Sequence, residues 1–356
     1  MRSKKVLMLC NRRFIITFVE IFMDKVNDFT RPGVLSRIRE SLAPEIESMN
    51  GIIRSALSTD HSLVNSIIDN YLHTKGKQIR PILVMLSARM FGRIDETVLY
   101  AAASLEMLHN ATLIHDDVVD QTLLRRGEPS LNAVWGNHLA VLSGDIFVSK
   151  ALVTGIRTRS LEILESLSEL GTELSLGEMD QLFNARRHVL NRRSYFKMIE
   201  RKTASLFMGC IRIGAQAAGA KAEDYERLVE FGRLLGLAFQ IRDDIFDYFP
   251  SDDIGKPSGH DLLEGKVTLP LLHALEFGPE PERQKYMELL GSDEELTPES
   301  ISRLQEFAKA NGGIEEARKE MERLREEGVK ILREYPESEC RNEFEEIFDY
   351  IIRRTY

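Results

Sequence analysis

The apolar residues of this chain recur at three- and four-residue steps along most of its 356 residues. Two examples of the spacing are Val64-Ile67-Ile68-Tyr71-Leu72 and Leu161-Leu164-Leu167-Leu170-Leu174. Such spacing places the apolar side chains on one face of an α-helix, and the strict alternation of a half-buried strand is nearly absent. The sequence therefore predicts an all-α fold with ten or more helices.

Turn-forming residues separate the helical stretches without producing a linker. The predicted loops lie at 75–77, 126–129, 250–259 and 278–281, where glycine or proline occurs. The hydrophobic fraction of 43% is ample for a large core, and a chain of this length forms either one large domain or two. Because no Ser/Gly-rich or Pro-rich run interrupts the chain, we expect a single domain at 23–356.

Residues 1–22 form an N-terminal extension with a different pattern. Basic residues at positions 4, 5, 12 and 13 interrupt its apolar runs. No run is long enough for a membrane span or for the core of an export signal. Three interpretations stay open: a dispensable extension ahead of an internal start at Met23, an interfacial amphipathic helix, and an export signal. No other segment is predicted to span a membrane.

The net charge and the cysteine content limit which binding partners and which cellular compartment fit this chain. A net charge of −9 argues against nucleic acid as a partner, because the field of the whole protein repels a polyanion. The three cysteines are odd in number and too widely spaced for a zinc motif. This usage favours a reduced, cytoplasmic compartment.

Two copies of one acidic cluster, Asp-Asp-x-x-Asp, point to the chemistry. The clusters are Asp116, Asp117 and Asp120 in LIHDDVVDQ, and Asp243, Asp244 and Asp247 in QIRDDIFDY. On a helix, residues four apart project from the same face, so the carboxylates repel each other unless a cation binds between them. Oxygen ligands without Cys or a His pair indicate Mg²⁺, which also takes oxygens from a substrate phosphate.

The simpler interpretation of one acidic cluster is a solvated helix face. Both clusters here lie within apolar sequence, such as Leu113 and Ile114 before the first and Ile245 and Phe246 within the second. Solvated faces rarely have such neighbours. Two clusters on facing helices would bind one diphosphate from both sides.

Basic residues that could complete a diphosphate site occur near the clusters or near a Gly-rich turn. They are Lys77, Arg80, Arg125, Arg126, Lys202, Lys256 and Lys266. Each of them taken alone is typically a surface cation. His109 and His115 are by default ordinary helix histidines, but His109 lies two turns before Asp116 and therefore on the same face.

The ordered segments GKQIRP, LIHDDVVDQTLLRRG, RKTA, QIRDDIFD and GKVTLP resemble those of the trans-polyprenyl diphosphate synthases. The resemblance covers roughly residues 30 to 355. One departure is that the usual Gly-Gly-Lys-Arg start of the first segment reads Lys75-Gly76-Lys77-Gln78. The resemblance implies a single large helical bundle of the isoprenoid synthase type, with a central active-site cavity, in a homodimer.

The resemblance also implies the reaction and the site residues. Isopentenyl diphosphate would condense with an allylic diphosphate. Mg²⁺, with three ions bound when substrate is present, would first promote departure of the diphosphate group from the allylic substrate. The metal ligands would be Asp116, Asp120 and Asp243, and the catalytic set would be all six aspartates with Lys202. Isopentenyl diphosphate would contact Lys77, Arg80, His109 and Arg126. The allylic diphosphate would contact Arg125, Lys202, Thr203, Gln240, Lys256 and Lys266.

Product length would depend on residues one to two turns before Asp116, namely Leu108, Ala111 and Thr112. No Phe or Tyr stands there to stop the chain at farnesyl. We therefore expect a long product, with octaprenyl as the best single choice and a farnesyl or geranylgeranyl product as the alternative if Phe147 blocks the path. Such a product would also imply peripheral membrane contact at its release.

Three other functions fit the sequence less well. A class I terpene cyclase normally has a second metal motif of the Asn/Asp-x-x-Ser/Thr-x-x-x-Glu kind, whereas QIRDDIFD is a second Asp-Asp-x-x-Asp. A di-iron bundle needs two Glu-x-x-His motifs, and only Glu106 to His109 fits. A non-catalytic subunit would be expected to lose aspartates, and all six are intact.

Overall fold

The computed structural model describes residues 33–73, 78–125, 127–249, 259–292 and 295–354. The predicted all-α fold is confirmed, since these residues are almost entirely helical. The predicted extension at 1–22 lies outside them.

The helices of the first half are α1 (Val34–Ser41), α2 (Ala43–Leu57), α3 (Ser62–His73), α4 (Ile79–Phe91), α5 (Glu96–Val119), α6 (Leu131–Trp135), α7 (Asn137–Ile156) and α8 (Leu161–Arg186). Those of the second half are α9 (Arg192–Ile199), α10 (Ser205–Ala217), α11 (Ala222–Phe246), α12 (His260–Leu263), α13 (Leu269–Phe277), α14 (Glu280–Leu290), α15 (Pro298–Ala310), α16 (Gly313–Leu332) and α17 (Glu339–Arg353). A single π-helical turn, Glu200–Ala204, joins α9 to α10.

Helix α5 lies at the centre of the bundle. It packs against α2, α4, α7 and α10, and most of its circumference is buried. Small side chains such as Ala101, Ala102 and Ala103 are fully buried and allow these neighbours to approach closely. The Asp95 side chain caps its first turn by accepting hydrogen bonds from the Thr97 and Val98 amides. A helix apolar on all sides is typical of a core position.

Both acidic clusters lie at the C-terminal ends of long helices. Asp116 and Asp117 are in the last turn of α5, and Asp120 is the residue at which that helix ends. The second cluster occupies the same position on α11, which ends at Asp247. The C-terminal end of a helix carries partial negative charge, so each cluster adds anions where the backbone already disfavours them. The fold therefore requires cations at both places.

A short hairpin follows the first cluster. Strands β1 (Leu124–Arg125) and β2 (Glu128–Pro129) pair antiparallel, with Arg125 opposite Glu128. Gly127, between them, has φ of +79°, which glycine adopts without strain. The turn predicted at 126–129 is thus part of a hairpin that fixes the backbone of Arg125.

Among the described residues, one helix, α7, is long and apolar enough to cross a membrane. Its buried face, which includes Ala140, Phe147 and Ala151, packs within the bundle. Its other face carries Asp145 and Lys150 among exposed apolar residues. Core helices of bundles commonly pass the same test of length and composition.

Candidate active site

The first cluster divides its carboxylates between two tasks. Asp117 is buried, and the Arg125 Nε lies 2.8 Å from both of its carboxylate oxygens. Asp116 and Asp120 remain partly exposed at the mouth of the site. Asp117 therefore positions Arg125, which the hairpin has already brought close, and leaves the other two carboxylates available for ligands.

Asp116 lies in an environment that disfavours its charge. Burial raises the pKa of Asp116 to about 6, the charge of Glu178 on α8 adds to this shift, and Lys202 opposes it. The Lys202 ammonium pairs with Glu178 and donates to the Gln181 Oε1 at 3.0 Å. The position of Asp116 is thus short of positive charge in the protein alone.

The π-helical turn connects the two clusters. Its residue Lys202 faces α8 and Asp116, whereas the neighbouring Thr203 hydroxyl donates to the Gln240 Oε1 at 2.7 Å. Gly177 on α8 permits this approach, because a Cβ there would lie 2.4 Å from the Lys202 amide nitrogen. A π-helical turn changes the direction of consecutive side chains and often occurs at functional sites.

In the second cluster, too, one aspartate is buried and hydrogen-bonded within the protein while another is accessible. Asp244 is buried and accepts hydrogen bonds from the Tyr195 hydroxyl at 2.5 Å and from the Gln240 Nε2 at 2.8 Å. Burial, and then the neighbouring carboxylate of Asp261, raise the pKa of Asp244. Thr203, Gln240, Asp244 and Tyr195 therefore form one hydrogen-bonded chain that positions the end of α11.

Asp247 organises the start of α12. Its carboxylate accepts hydrogen bonds from the His260 amide at 2.9 Å and the Asp261 amide at 3.2 Å. Its backbone carbonyl accepts one from the Gln305 side chain at 2.8 Å. These contacts place Asp261 beside the second cluster, where burial and the charge of Asp247 raise its pKa to about 7.

Asp243 is the accessible carboxylate of the second cluster. Its side chain is 40% exposed and pairs with the Arg354 guanidinium, which is itself 9% exposed. That guanidinium lies 4.3 Å from the ring centroid of Phe239, and the Arg354 carbonyl accepts a hydrogen bond from Arg242. Arg354, which follows α17, therefore closes one side of the site.

Lys266 connects the two halves. Its Nζ lies 3.9 Å from Asp120 Oδ1 and also pairs with Glu264. Because Lys266 follows the second cluster in sequence and contacts the first in space, the two clusters border one region. The structure thus brings together Asp116, Asp120, Arg125, Lys202 and Lys266.

The structure describes only two of the four residues predicted to bind isopentenyl diphosphate. Arg80 lies in the first turn of α4 and is partly buried, and His109 is buried on α5. The charges of Arg80 and Glu106 both act on the buried Cys210 thiol, whose pKa burial raises, so these side chains meet where α4, α5 and α10 join. Lys77, Arg126 and Lys256 lie outside the described residues.

A cavity of about 510 Å³ lies between α5, α7 and α8. We call it the tail cavity, and its lining residues are Ser104, Leu108, Thr112, His115, Val148, Ala151, Leu152, Leu167, Ser168, Gly171, Thr172, Ser175 and Leu176. Two of the predicted chain-length residues, Leu108 and Thr112, line it. Ala111 is fully buried and does not, because it projects from another face of α5. Phe147 is also absent from the lining and packs edge-to-face on Tyr71 at 5.4 Å.

Residues 61–307, more than half of the chain, match the polyprenyl synthetase family. Octaprenyl diphosphate synthase of Escherichia coli strain K12 is 34% identical over 86% of this chain and 95% of its own length. Geranylgeranyl diphosphate synthase of Methanosarcina mazei is 35% identical over 79% of this chain and 86% of its own. The chain belongs to the polyprenyl synthetase family.

A solved structure supports the same assignment at the level of the fold. The polyprenyl synthase of Caulobacter crescentus CB15, complexed with calcium and isoprenyl diphosphate, superposes with a TM-score of 0.84 at 30% identity. The match covers 92% of this chain and 99% of that one. This polyprenyl synthetase is therefore a prenyl-transferring enzyme with the all-helical isoprenoid synthase fold.

The accessible carboxylates of the synthetase fit Mg²⁺. Within the described ranges, no three metal-ligating side chains are close enough to form a site by themselves. Mg²⁺ typically takes one or two carboxylates, several waters and substrate phosphate oxygens, so a complete cage of side chains is not needed. Asp116, Asp120 and Asp243 are partly exposed, and metal ions would compete with Lys266 for Asp120 and with Arg354 for Asp243.

Sequence reasoning missed several residues of this site. Glu178 and Asp261 are carboxylates beside the clusters, and Arg354 is a cation from the far end of the chain. A signal for Glu178 existed, because it follows a glycine in the middle of a long helix. Asp261 lies between Lys256 and Lys266, two residues predicted to contact the allylic diphosphate. Nothing in the sequence indicated which carboxylate Arg354 would contact.

The raised pKa of Asp116 predicts how Mg²⁺ binding depends on pH. Below pH 6 the metal-free protein holds a proton on this carboxyl group, and Mg²⁺ must displace that proton. Affinity for Mg²⁺, measured by calorimetry, should therefore fall as pH decreases through 6, by up to about tenfold per pH unit. Asp116→Asn should bind more weakly and lose this dependence. Equal affinity of the native protein at pH 5 and pH 7 would contradict the assignment.

Proposed function

We propose that this enzyme condenses isopentenyl diphosphate with an allylic diphosphate of the farnesyl or geranylgeranyl type and builds a long all-trans polyprenyl diphosphate. The observation that carries the proposal is the pair of acidic clusters around one region, with Lys202 directed to one and Thr203 to the other. This arrangement suits a diphosphate bridged by metal ions between two helices.

Ionisation of the allylic substrate requires stabilisation of the departing diphosphate. Three Mg²⁺ ions, held by Asp116, Asp120 and Asp243, would supply Lewis-acid stabilisation of its negative charge. Around it, Arg125, Lys202 and Lys266 would donate hydrogen bonds to the same oxygens. Fixed cations aimed at a developing charge are usually the largest contribution to such catalysis.

The remaining residues position these groups. Asp117 orients Arg125, and Thr203 and Gln240 orient Asp244 at the end of α11. Lys256, in the loop after the second cluster, would add a further contact to the allylic diphosphate. Arg354 covers Asp243, and entry of the metal would require that ion pair to open.

Isopentenyl diphosphate would bind beside the allylic site at Lys77, Arg80, His109 and Arg126. Its double bond would then attack the allylic cation. The released diphosphate would accept the proton lost at the end of the cycle.

We infer a long product, with octaprenyl as the best single choice. No Phe, Tyr or Trp side chain of the described residues lines the tail cavity, and Phe147 points elsewhere. Relatives named for octaprenyl, heptaprenyl and geranylgeranyl products are about equally similar to this chain. The lining of the cavity is therefore the better guide.

The condensation is tested by incubating the protein with Mg²⁺, isopentenyl diphosphate and farnesyl diphosphate, and by sizing the products. Asp116→Asn and Asp243→Asn should each lower turnover by at least about a hundredfold, because each removes stabilisation of the leaving group. Glu345→Gln, on the surface of α17, is a control for loss of one carboxylate. Condensation at the native rate by either aspartate variant would contradict the proposed mechanism.

An exposed apolar surface supports a homodimer. Helices α7 and α8 expose Val141, Leu142, Leu152, Val153, Ile156, Leu161, Met179, Leu182 and Phe183. Large exposed apolar surfaces often mark protein–protein contacts. We propose that a second copy covers it, and we place the enzyme in the cytoplasm with peripheral membrane contact at product release.

If two copies associate in this way, light scattering after gel filtration should give a mass of twice 40.7 kDa. The double variant Leu142→Glu with Val153→Glu should convert it to a monomer, because two charges would be buried without partners. Met287→Glu, an exposed site on α14, should stay dimeric. A native monomer would contradict this interface. The competing outcome is a complex with a different partner chain. It is suggested by the name of one relative, the Bacillus subtilis heptaprenyl diphosphate synthase component 2.

A further inference from the structure

His115 lies between α5 and α7, one residue before Asp116. Its Nε2 is 3.2 Å from the Val141 carbonyl oxygen and 3.5 Å from Asp145 Oδ1, and both of these residues belong to α7. The contacts of His115 thus join the end of α5, where the first acidic cluster lies, to the neighbouring helix.

Gly144 allows the His115 ring to reach the backbone of α7. A Cβ built on Gly144 would lie 2.2 to 2.9 Å from its three nearest atoms, and all three are ring atoms of His115. Even alanine at this position would therefore displace the ring. Glycine weakens a helix, and contact with this ring accounts for its occurrence inside α7. Gly177 has the same effect on α8, where it admits the backbone of Lys202.

The hydrogen bond to Val141 determines which ring nitrogen carries the proton. A carbonyl oxygen can only accept, so the His115 Nε2 must donate. The carbonyl has two lone pairs and can accept this bond in addition to one within α7. The Asp145 carboxylate, also an acceptor, favours the same protonated nitrogen. The packing on Gly144 and this directional bond together fix the position and the orientation of the ring.

The rotation of α5 about its own axis decides where the first cluster points. Successive residues lie about 100° apart around a helix, so His115 and Asp116 turn together. For a carboxylate about 6 Å from the helix axis, a rotation of roughly 10° is a displacement of about 1 Å. Mg²⁺ requires oxygen ligands at about 2.1 Å in near-ideal geometry, so a displacement of this size weakens coordination.

A second contact holds the same part of α5. The Asn132 side chain on α6 donates to the Asp117 carbonyl at 3.1 Å. Asp116 lies between this attachment point and His115 in the sequence, so the two contacts act together on its orientation. Loss of the His115 contact should loosen the last turn of α5 without unfolding it.

We propose that His115 is a positioning residue for the first cluster. Seated on Gly144, it fixes the rotation of the last turns of α5, so that Asp116 and Asp120 are directed at one metal ion. The inference rests on the proposed function, in which these carboxylates bind Mg²⁺. It gives a role to a residue that the sequence pattern alone classed as an ordinary helix histidine.

Calorimetric titration of the substrate-free protein with Mg²⁺ tests this role. His115→Phe keeps a ring on α7 but removes the hydrogen bond, and it should lower Mg²⁺ affinity by about three- to tenfold, the contribution of one hydrogen bond. His115→Gln keeps an N–H donor for the Val141 carbonyl and should stay within about twofold of the native affinity. His138→Phe, at an exposed histidine on α7, is the matched control and should leave the affinity unchanged.

A substitution on the facing helix tests the same contact from the other side. Gly144→Ala should also lower Mg²⁺ affinity, because its Cβ would displace the ring. In a His115→Ala background the same substitution should cause no further loss, since no ring remains to be displaced. Gly51→Ala, at a helix glycine with no atom within 4 Å, controls for the replacement of a glycine.

Melting curves of the metal-free variants separate positioning from stability. A purely structural histidine would lower the melting temperature and leave the Mg²⁺ affinity of the folded protein unchanged. Native Mg²⁺ affinity in folded His115→Phe and Gly144→Ala proteins would therefore overturn the inference, and so would equal losses in His115→Phe and His115→Gln. A native protein whose Mg²⁺ affinity depends on His115 but which never condenses the two substrates would refute the proposed function and leave the positioning role supported.

Discussion

Repulsion between carboxylates at the ends of two helices is the constraint on which this site depends. Each cluster places three aspartates where the helix dipole is already negative. The protein itself stabilises the buried member of each cluster, with the Arg125 guanidinium for Asp117 and with hydrogen bonds from a hydroxyl and an amide for Asp244. Asp116, Asp120 and Asp243 remain partly exposed, and in the proposed function metal ions would compete with Lys266 for Asp120 and with Arg354 for Asp243. In the proposed function, a metal-bridged diphosphate would supply the positive charge that these carboxylates still need.

The surrounding fold converts that constraint into one site. Gly177 lets the π-helical turn pack against α8, which places Lys202 beside Asp116 while Thr203 bonds to α11. Lys266 then approaches Asp120 from the other side. The same helices, α5 and α8, continue away from the carboxylates and line the tail cavity together with α7. In the proposed function, ionisation and chain elongation would therefore share their supporting elements.

The sequence predicted the helical fold and the acidic clusters because both depend on local spacing. The apolar steps of Leu161 to Leu174 identify a helix without knowledge of its partners, and Asp116 and Asp120 must share a face on any helix. Contacts between distant segments were harder to predict. The ion pair of Asp243 with Arg354 joins residues 111 positions apart, and no local pattern encodes it. The orientation of α5 also depends on packing, which is why Ala111 faces away from the cavity that Leu108 and Thr112 line.

The most direct test of the central claim is cooperation between the two clusters in binding one diphosphate. Calorimetric titration with inorganic pyrophosphate should show tight binding only when Mg²⁺ is present. Asp116→Asn and Asp243→Asn should each weaken it strongly, and the double variant should bind little worse than either single one, because both residues support the same bridged anion. Additive losses from the two substitutions, or Mg²⁺-dependent binding that survives both, would show that the clusters act at separate sites and would contradict the account.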